Sequence, residues 1–317
     1  MIVCGGRLQY THRILRSPPS DVMDAKQTRQ GIFFALAAYF MWGIAPAYFK
    51  LIQQVSADEI LTHRIIWSFF FMLALITLGR NWPKVRAACQ NRKRLLLLAV
   101  TALLIGGNWL LFIWAVNNHH MLEASLGYFI NPLVNVLLGM LFLGERFRRM
   151  QWVAVALAFT GVLVQLWQFG SLPIIGLGLA FSFAFYGLLR KKIAIDAQTG
   201  MLIETLWLLP VAAAYLFLFA DSPTSHLSAN PWSLNLLLVA AGIVTTVPLL
   251  CFTAAATRLR LSTLGFFQYL GPTLMFLLAI TFYGETVGQD KLVTFGFIWA
   301  ALILFTLDAL YTQRKLR

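Results

Sequence analysis

Ten apolar runs, each about as long as a bilayer is thick, leave this chain few ways to fold. They fall near 31–49, 60–78, 95–116, 122–143, 150–168, 172–189, 201–220, 233–254, 261–283 and 292–311, separated by charged, Pro or Asn clusters. One helical crossing takes about 20 mostly apolar residues, so ten crossings consume about 200 and leave no room for a large soluble catalytic domain. Backbone amides in hydrocarbon must be satisfied within their own segment, and no run alternates as a barrel strand does. The expected fold is therefore an all-α integral membrane protein of ten transmembrane helices, in keeping with a chain that is 59% hydrophobic and 12% charged.

The formal charge of +13 invites a nucleic-acid reading, but the distribution of charge opposes it. Basic residues sit in short clusters between apolar runs, as orientation signals do, with no continuous basic face to follow a phosphate backbone. Taking every second connection from Lys26 onward, one side carries Lys26 and Arg29, the cluster from Arg80 to Arg94, then Arg146, Arg148 and Arg149. The same side continues with Arg190, Lys191 and Lys192, Arg258 and Arg260, and Arg314, Lys315 and Arg317, whereas the other side has only Lys50 and Lys291. The positive-inside rule then places both termini in the cytoplasm. A miscounted span would destroy this alternation.

Residues 1–30 are read as an N-terminal cytoplasmic tail, within which 1–22 lack the continuous apolar core of a secretory signal. Met23 precedes a short polar stretch before the first span, so 1–22 are either a functional tail or the product of a mis-assigned start. Cys4, Cys89 and Cys251 form no paired motif and suggest neither a disulfide framework nor a zinc site.

Sliding the chain by 140 residues aligns LEASLGYFINPLVNVLLGMLFLGE with STLGFFQYLGPTLMFLLAITFYGE. Pro132 meets Pro272, Leu137 meets Leu277, Leu138 meets Leu278, Phe142 meets Phe282, and Gly144-Glu145 meets Gly284-Glu285. Upstream, Phe112 meets Phe252 and Ala115 meets Ala255, while Trp42-Gly43 and Tyr186-Gly187 occupy similar places in the first span of each half. The pattern P-x11-G-E in both copies reads as a duplication. Residues 31–168 form the first repeat, 172–311 the second, and 312–317 a cytoplasmic tail. Each repeat has five crossings, an odd number, so the second copy runs upside down relative to the first. Inverted repeats of this kind are a transporter architecture, with solute held near the midplane between halves that rock.

This organisation resembles the EamA-type permeases of the drug/metabolite transporter superfamily over roughly residues 30–312. The segments GIFFALAAYFMWGIAPAYFK from Gly31, EILTHRIIWS from Glu59, NWLLFIWA from Asn108 and the core Gly127-Tyr128-Phe129-Ile130-Asn131-Pro132 are similar to the RarD branch. The resemblance implies a permease of the bacterial inner membrane and a link to chloramphenicol. It does not name a physiological substrate. Small multidrug exporters of the same superfamily use a buried glutamate in their first helix, but neither 31–49 nor 172–189 contains a carboxylate. That departure argues against the same coupling scheme and against hydrophobic cations as cargo.

Charged residues inside spans cost about 2.5–3.5 kcal/mol on insertion scales, so each requires a reason. Glu59, His63 and Trp67 share one face of the second span, with Arg64 beside His63. Arg64 either anchors an anionic solute through its planar fork, pairs with Glu59 or Glu123, or snorkels to the interface. Tyr128, Asn131 and Asn135 form one polar stripe in the fourth span, and the repeat sets Gln268, Gly271 and Met275 opposite. These stripes either line a solute path or hydrogen-bond helix to helix. Asn108 and Trp109 add a polar contact and a stacking face, and Pro132 and Pro272 each free a carbonyl one turn earlier, giving helix kinks. Glu204, a possible proton-coupling residue, lies about one turn into the seventh span, and it and Asp308 are read as reaching water at helix ends. His119, His120 and His226 fall in loops without clustered partners.

The leading reading is a secondary transporter, an exporter of a small zwitterionic, anionic or neutral polar metabolite or drug-like compound. Its solute-binding candidates are Glu59, His63, Arg64, Asn108, Tyr128, Asn131, Asn135 and Gln268. G-x-x-x-x-G-K-[ST], H-E-x-x-H and G-x-S-x-G are all absent, so no nucleotide, metal or other cofactor is expected and the chain is not read as an enzyme. The expected partners are a small solute and the bilayer, with a homodimer left open and nucleic acid excluded. The alternatives are an intramembrane enzyme acting on a lipid-linked substrate and a non-transporting membrane subunit. If the repeats are inverted, cysteines introduced beside Glu145 and Glu285 label from opposite faces of the membrane; labelling from one face removes the transporter argument.

Overall fold

The computed structural model of the chain describes residues 25–220, 224, 227–281 and 289–315. The tail call on 1–22, His226 and the Gly284-Glu285 pair lie outside the described residues. Among the described residues the fold is all-helical. The elements are α1 (Ala25–Lys50), α2 (Ala57–Leu78), α3 (Trp82–Gln90), α4 (Arg92–Asn117), α5 (Met121–Leu143) and α6 (Arg149–Phe169). The second half has α7 (Ile174–Ile193), α8 (Ala197–Leu218), α9 (Trp232–Arg258), α10 (Leu261–Gln268), α11 (Leu270–Thr281) and α12 (Gln289–Lys315).

Ten of these units are long and apolar enough to span a bilayer, α10 and α11 counting as one. Their outer faces expose large apolar side chains such as Phe33, Leu78, Trp167, Phe217 and Leu218. A belt of this kind is stable only against hydrocarbon. The break between α10 and α11 falls at Tyr269, one turn before Pro272, whose missing N–H leaves the Gln268 carbonyl without its helical partner. Pro132, by contrast, sits inside a continuous α5.

One element was not anticipated from the apolar runs. α3 is a short amphipathic helix with Val85 and Ala88 buried and Lys84 and Arg86 exposed, starting behind Asn81 with Pro83 in its first turn. Nine residues are too few to register as a span, yet the Pro near its start is a readable helix signal.

The duplication is visible in the element positions. α2, α4, α5 and α6 begin at 57, 92, 121 and 149; α8, α9, α10 and α12 begin at 197, 232, 261 and 289, each 140 residues later. Helix packing follows the same exchange. α1 packs on α9 as α7 packs on α4, α2 on α9 as α8 on α4, and α5 on α7 as α10 and α11 on α1. The pairs α2 with α8, α5 with α10 and α6 with α12 are their own counterparts. This pattern fits two copies related by a pseudo-twofold axis.

Contacts between helix ends sort them into two groups. Asn81 after α2 bonds Gln198 at the start of α8, Glu145 after α5 bonds the start of α10, Arg148 before α6 pairs with Asp308 late in α12, and Lys191 late in α7 bonds the end of α9 at Leu259. This is the basic end. At the other end Asp58 of α2 accepts from Tyr215 of α8, Tyr48 of α1 bonds Leu237 of α9 at 2.5 Å, and Glu123 of α5 accepts from the Ile175 N–H of α7 at 2.8 Å. α1 starts at the basic end, where Gly31 packs on Leu259, and α7 starts at the opposite one.

The P-x11-G-E motif acquires a physical role here. Gly144 ends α5 at φ 63°, a left-handed conformation that costs other residues about 1–2 kcal/mol. That turn delivers the Glu145 carboxylate to the start of α10, where it accepts from Leu261 N–H at 2.6 Å, Ser262 N–H at 3.0 Å and Ser262 Oγ at 2.5 Å. A carboxylate at a helix N-terminus satisfies orphan amides and complements the dipole. Glu145→Ala is expected to destabilise the chain by about 1–2 kcal/mol, with Glu145→Gln in between. Thermal unfolding in detergent measures this, and an unchanged midpoint for the Ala variant would discount the cap.

Candidate functional site

Between the halves lies a cavity of about 240 Å³. Its lining comes mainly from the helix portions away from the basic end: Phe49 near the end of α1, Arg64 in the second turn of α2, Trp109 and Phe112 late in α4, and Gly127 and Tyr128 early in α5. Gln268, Gly271, Pro272 and Met275 of the broken ninth span complete it. Toward the basic end the floor is aromatic. Phe252 packs against Phe183 at 4.8 Å, Trp42 at 5.8 Å, Tyr186 at 6.2 Å and Tyr39 at 6.3 Å between ring centroids.

Arg64 is the one arginine on this surface. Its Nε donates to Thr245 Oγ1 at 2.8 Å, and its guanidinium carbon lies 5.0 Å from the Trp109 ring centroid and 5.5 Å from that of Phe49. Neither expected ion pair forms: among the described residues no carboxylate lies within 4.0 Å of the guanidinium. Glu59 instead accepts from Thr224 Oγ1 at 2.7 Å, and Glu123 is engaged with Ile175 N–H and His120. Ring faces contribute about 0.5–2 kcal/mol to a desolvated cation, well short of the cost of holding it in hydrocarbon without an anion.

Of the other candidates, Asn108, Tyr128, Asn131 and Gln268 line the cavity. Asn108 Nδ2 donates to Leu179 O at 2.9 Å and Ser182 Oγ at 2.8 Å, and Asn131 Nδ2 donates to Ala180 O at 2.6 Å, so both amides are fixed against α7. Asn135 takes the interhelical alternative. It is buried behind Asn131, donating to Asn131 Oδ1 at 2.9 Å and Gln268 Oε1 at 3.2 Å, because a residue one turn further along α5 has already passed under α10. The stripe thus divides into a wall and an interhelical bridge.

Glu59 and His63 also lie off the cavity, both 1% exposed. Neither ring nitrogen of His63 has a hydrogen-bond partner among the described residues. Their shared face turns away from the one that carries Arg64, as neighbours on a helix do.

Glu204 and Asp308 are corrected as well. Glu204 does not reach water: it is 1% exposed, 3.6 Å from Arg190 Nε, and accepts from Thr101 Oγ1 at 2.6 Å and Tyr186 Oη at 3.2 Å. Asp308 is buried beside Arg148 at 3.3 Å. Arg190, one of the basic residues that the sequence places in a connection between spans, is a fully buried side chain. Sequence reading also missed Thr245 and the Phe183–Phe252 floor, which lack any signal beyond apolar helix; the 140-residue offset from Arg64 to Glu204 was readable.

A model of the EamA-like transporter family matches residues 29–167. Protein RarD of Escherichia coli strain K12 is 77% identical over 293 residues, 92% of this chain and 99% of that one. The chain belongs to the EamA family, in its RarD branch. An uncharacterized transporter of Vibrio cholerae is 62% identical over 287 residues, 90% of this chain and 95% of that protein. A solved crystal structure, 17% identical, superposes with a TM-score of 0.68 over 89% of this chain and 98% of its own, and bears on the fold alone. As an EamA protein the chain is a multi-pass membrane transporter of RarD type. Because His63 makes no hydrogen bond, His63→Leu is expected to leave stability unchanged within about 1 kcal/mol or to raise it, since burying an unsatisfied ring costs about 1–3 kcal/mol. A large drop in melting temperature would reveal a partner for the ring.

Proposed function

We propose that this EamA protein is a secondary carrier that exports a small anionic or zwitterionic solute across the bacterial inner membrane by alternating access, with Arg64 as the anchor for the anionic group. The observation that carries this reading is a half-buried guanidinium in a cavity wall with no carboxylate partner among the described residues. Nε is committed to Thr245 and the flanks to Trp109 and Phe49, which leaves the Nη side of the fork for a ligand. The apolar rings around it suit a solute with a hydrophobic body, and Asn131 and Gln268 offer amides across the cavity.

Orientation is read from charge. The end rich in Arg and Lys is the cytoplasmic one by the positive-inside rule, which puts both termini inside and the cavity toward the exterior. Packed rings then separate the bound solute from the cytoplasm, and exchanging the conformations of the halves reverses access. Glu59, His63 and Asn135 act in this scheme as the buried support of the wall.

Purified protein in liposomes, offered anionic, zwitterionic, neutral and cationic solutes with chloramphenicol among them, tests the reading. An anionic or zwitterionic solute should exchange saturably. Arg64→Lys keeps the charge but loses the planar fork and should cut the exchange by at least about tenfold, about 1.4 kcal/mol or more, while yield and melting temperature hold. Equal exchange by the Lys variant, or transport confined to cations, would overturn the assignment; a parallel loss of folded protein would make Arg64 structural.

A further inference from the structure

α2 and α8 are both 22 residues long and begin and end 140 residues apart, so the position that matches Arg64 is Glu204. Their surroundings match too. Arg64 contacts α9 through Thr245 and α1 through Phe49. Glu204 contacts α4 through Thr101 and α7 through Tyr186 and Arg190. Under exchange of the halves α9 becomes α4 and α1 becomes α7, so the two sites are equivalent in place and opposite in sign.

They differ in access. Arg64, Phe112 and Ala124 line the cavity, while their counterparts Glu204, Phe252 and Leu264 are packed in the interior. The packed site is nonetheless cut to hold a cation: a Cβ on Gly200 in the first turn of α8 would overlap the Arg190 guanidinium. Among the described residues Arg190 Nε and Nη1 have no hydrogen-bond partner, and Nη2 has only a long contact of 3.4 Å to Ala197 O. A buried ion pair so incompletely satisfied is a poor source of stability compared with apolar packing. It lies directly behind the cavity floor, reached from Trp42 through Phe252 and Tyr186.

We propose that Glu204 and Arg190 are the basic-end counterpart of the Arg64 site, dry and latched in this conformation and wetted when the carrier opens toward the basic end, where Glu204 exchanges a proton with that side. The proposal rests on the alternating-access reading above. A proton from water forms an O–H bond on the Glu204 carboxylate, which removes its charge and reduces the attraction to Arg190 to a hydrogen bond. Protonation therefore favours the opened form, and release of the proton to water restores the pair and the closed form. The titratable groups facing Glu204 are Arg190 and Tyr186 from α7, joined by the Thr101 hydroxyl from α4. α2, α3 and α9 also pack on α8 or its neighbours, and among the described residues their charged groups form no ion pair with Glu204.

Ile105 is the counterpart of Thr245 and is buried, which makes Ile105→Cys a reporter of opening at the basic end; Met275→Cys reports on the cavity. The full chain in sealed vesicles is treated with a membrane-impermeant sulfonated maleimide on the basic face. Native Cys89, exposed on α3, corrects for the intrinsic effect of pH on thiol reactivity. Labelling of Ile105→Cys relative to Cys89 should rise several-fold as the pH on that face is lowered. Glu204→Gln should raise it at all pH values and abolish the dependence. Labelling that ignores both pH and Glu204→Gln would overturn the coupling role and leave alternating access standing. No labelling from the basic face under any condition, with Met275→Cys reactive from the other face, would sink both. Should the Gln variant not fold, the pH response of the reporter with Glu204 intact decides alone.

Discussion

A guanidinium that cannot shed its proton, held away from bulk water, is the constraint around which the centre of this molecule is arranged. Arg64 has an alcohol on one edge and two indole or phenyl faces beside it, and none of these neutralises it. The remaining solvation has to come from water or a solute, and the cavity between the halves leaves room for either. The apolar exterior and the helical backbone answer a different demand, that of hydrocarbon, and they would be the same around a solid core. Arg64 is what makes a solid core unfavourable here.

Duplication explains how one chain builds both a cavity and its closure. Four helix starts recur at a spacing of 140 residues, and the most extensive interhelical contact surfaces have counterparts in the other half. Yet the two halves are not in the same state: Arg64 and Phe112 line the space, whereas their counterparts Glu204 and Phe252 are close-packed. The joints between copies are polar and directional, as in Glu145 on the first turn of α10 and the Asn131–Asn135–Gln268 chain between α5 and α10. Side-chain hydrogen bonds of this type are modest in a membrane, typically about 1 kcal/mol or less, which suits surfaces that must hold and also part.

The errors of the sequence reading share a cause. Glu204 and Asp308 lie near the ends of apolar runs and Arg190 in a basic connection, and a charged residue in such a place ordinarily reaches water. Here neighbouring helices extend past those ends and cover them, Thr101 and Tyr186 over Glu204 and the Arg148 turn over Asp308. Asn135 was placed by helical phase alone, which gives the face of a helix without saying where along it another helix crosses. α3 escaped because a short amphipathic helix lying outside the spans carries no long apolar run.

What the sequence alone determined is whatever depends on one segment at a time. The number of spans follows from apolar length, the gathering of Lys and Arg on alternate connections from their positions, the 140-residue repeat from P-x11-G-E, and the anomaly of Arg64 from the cost of a charge in lipid. Only the tertiary structure decided which polar side chains meet: that Arg64 rests on Thr245 and lacks a carboxylate, that Arg190 and Glu204 find each other, and that Asn135 is a bridge where Asn131 is a wall. Periodicity and hydropathy are properties of a single helix in a uniform solvent. Pairing is a property of close packing among ten of them, where a shift of one turn exchanges cavity for core.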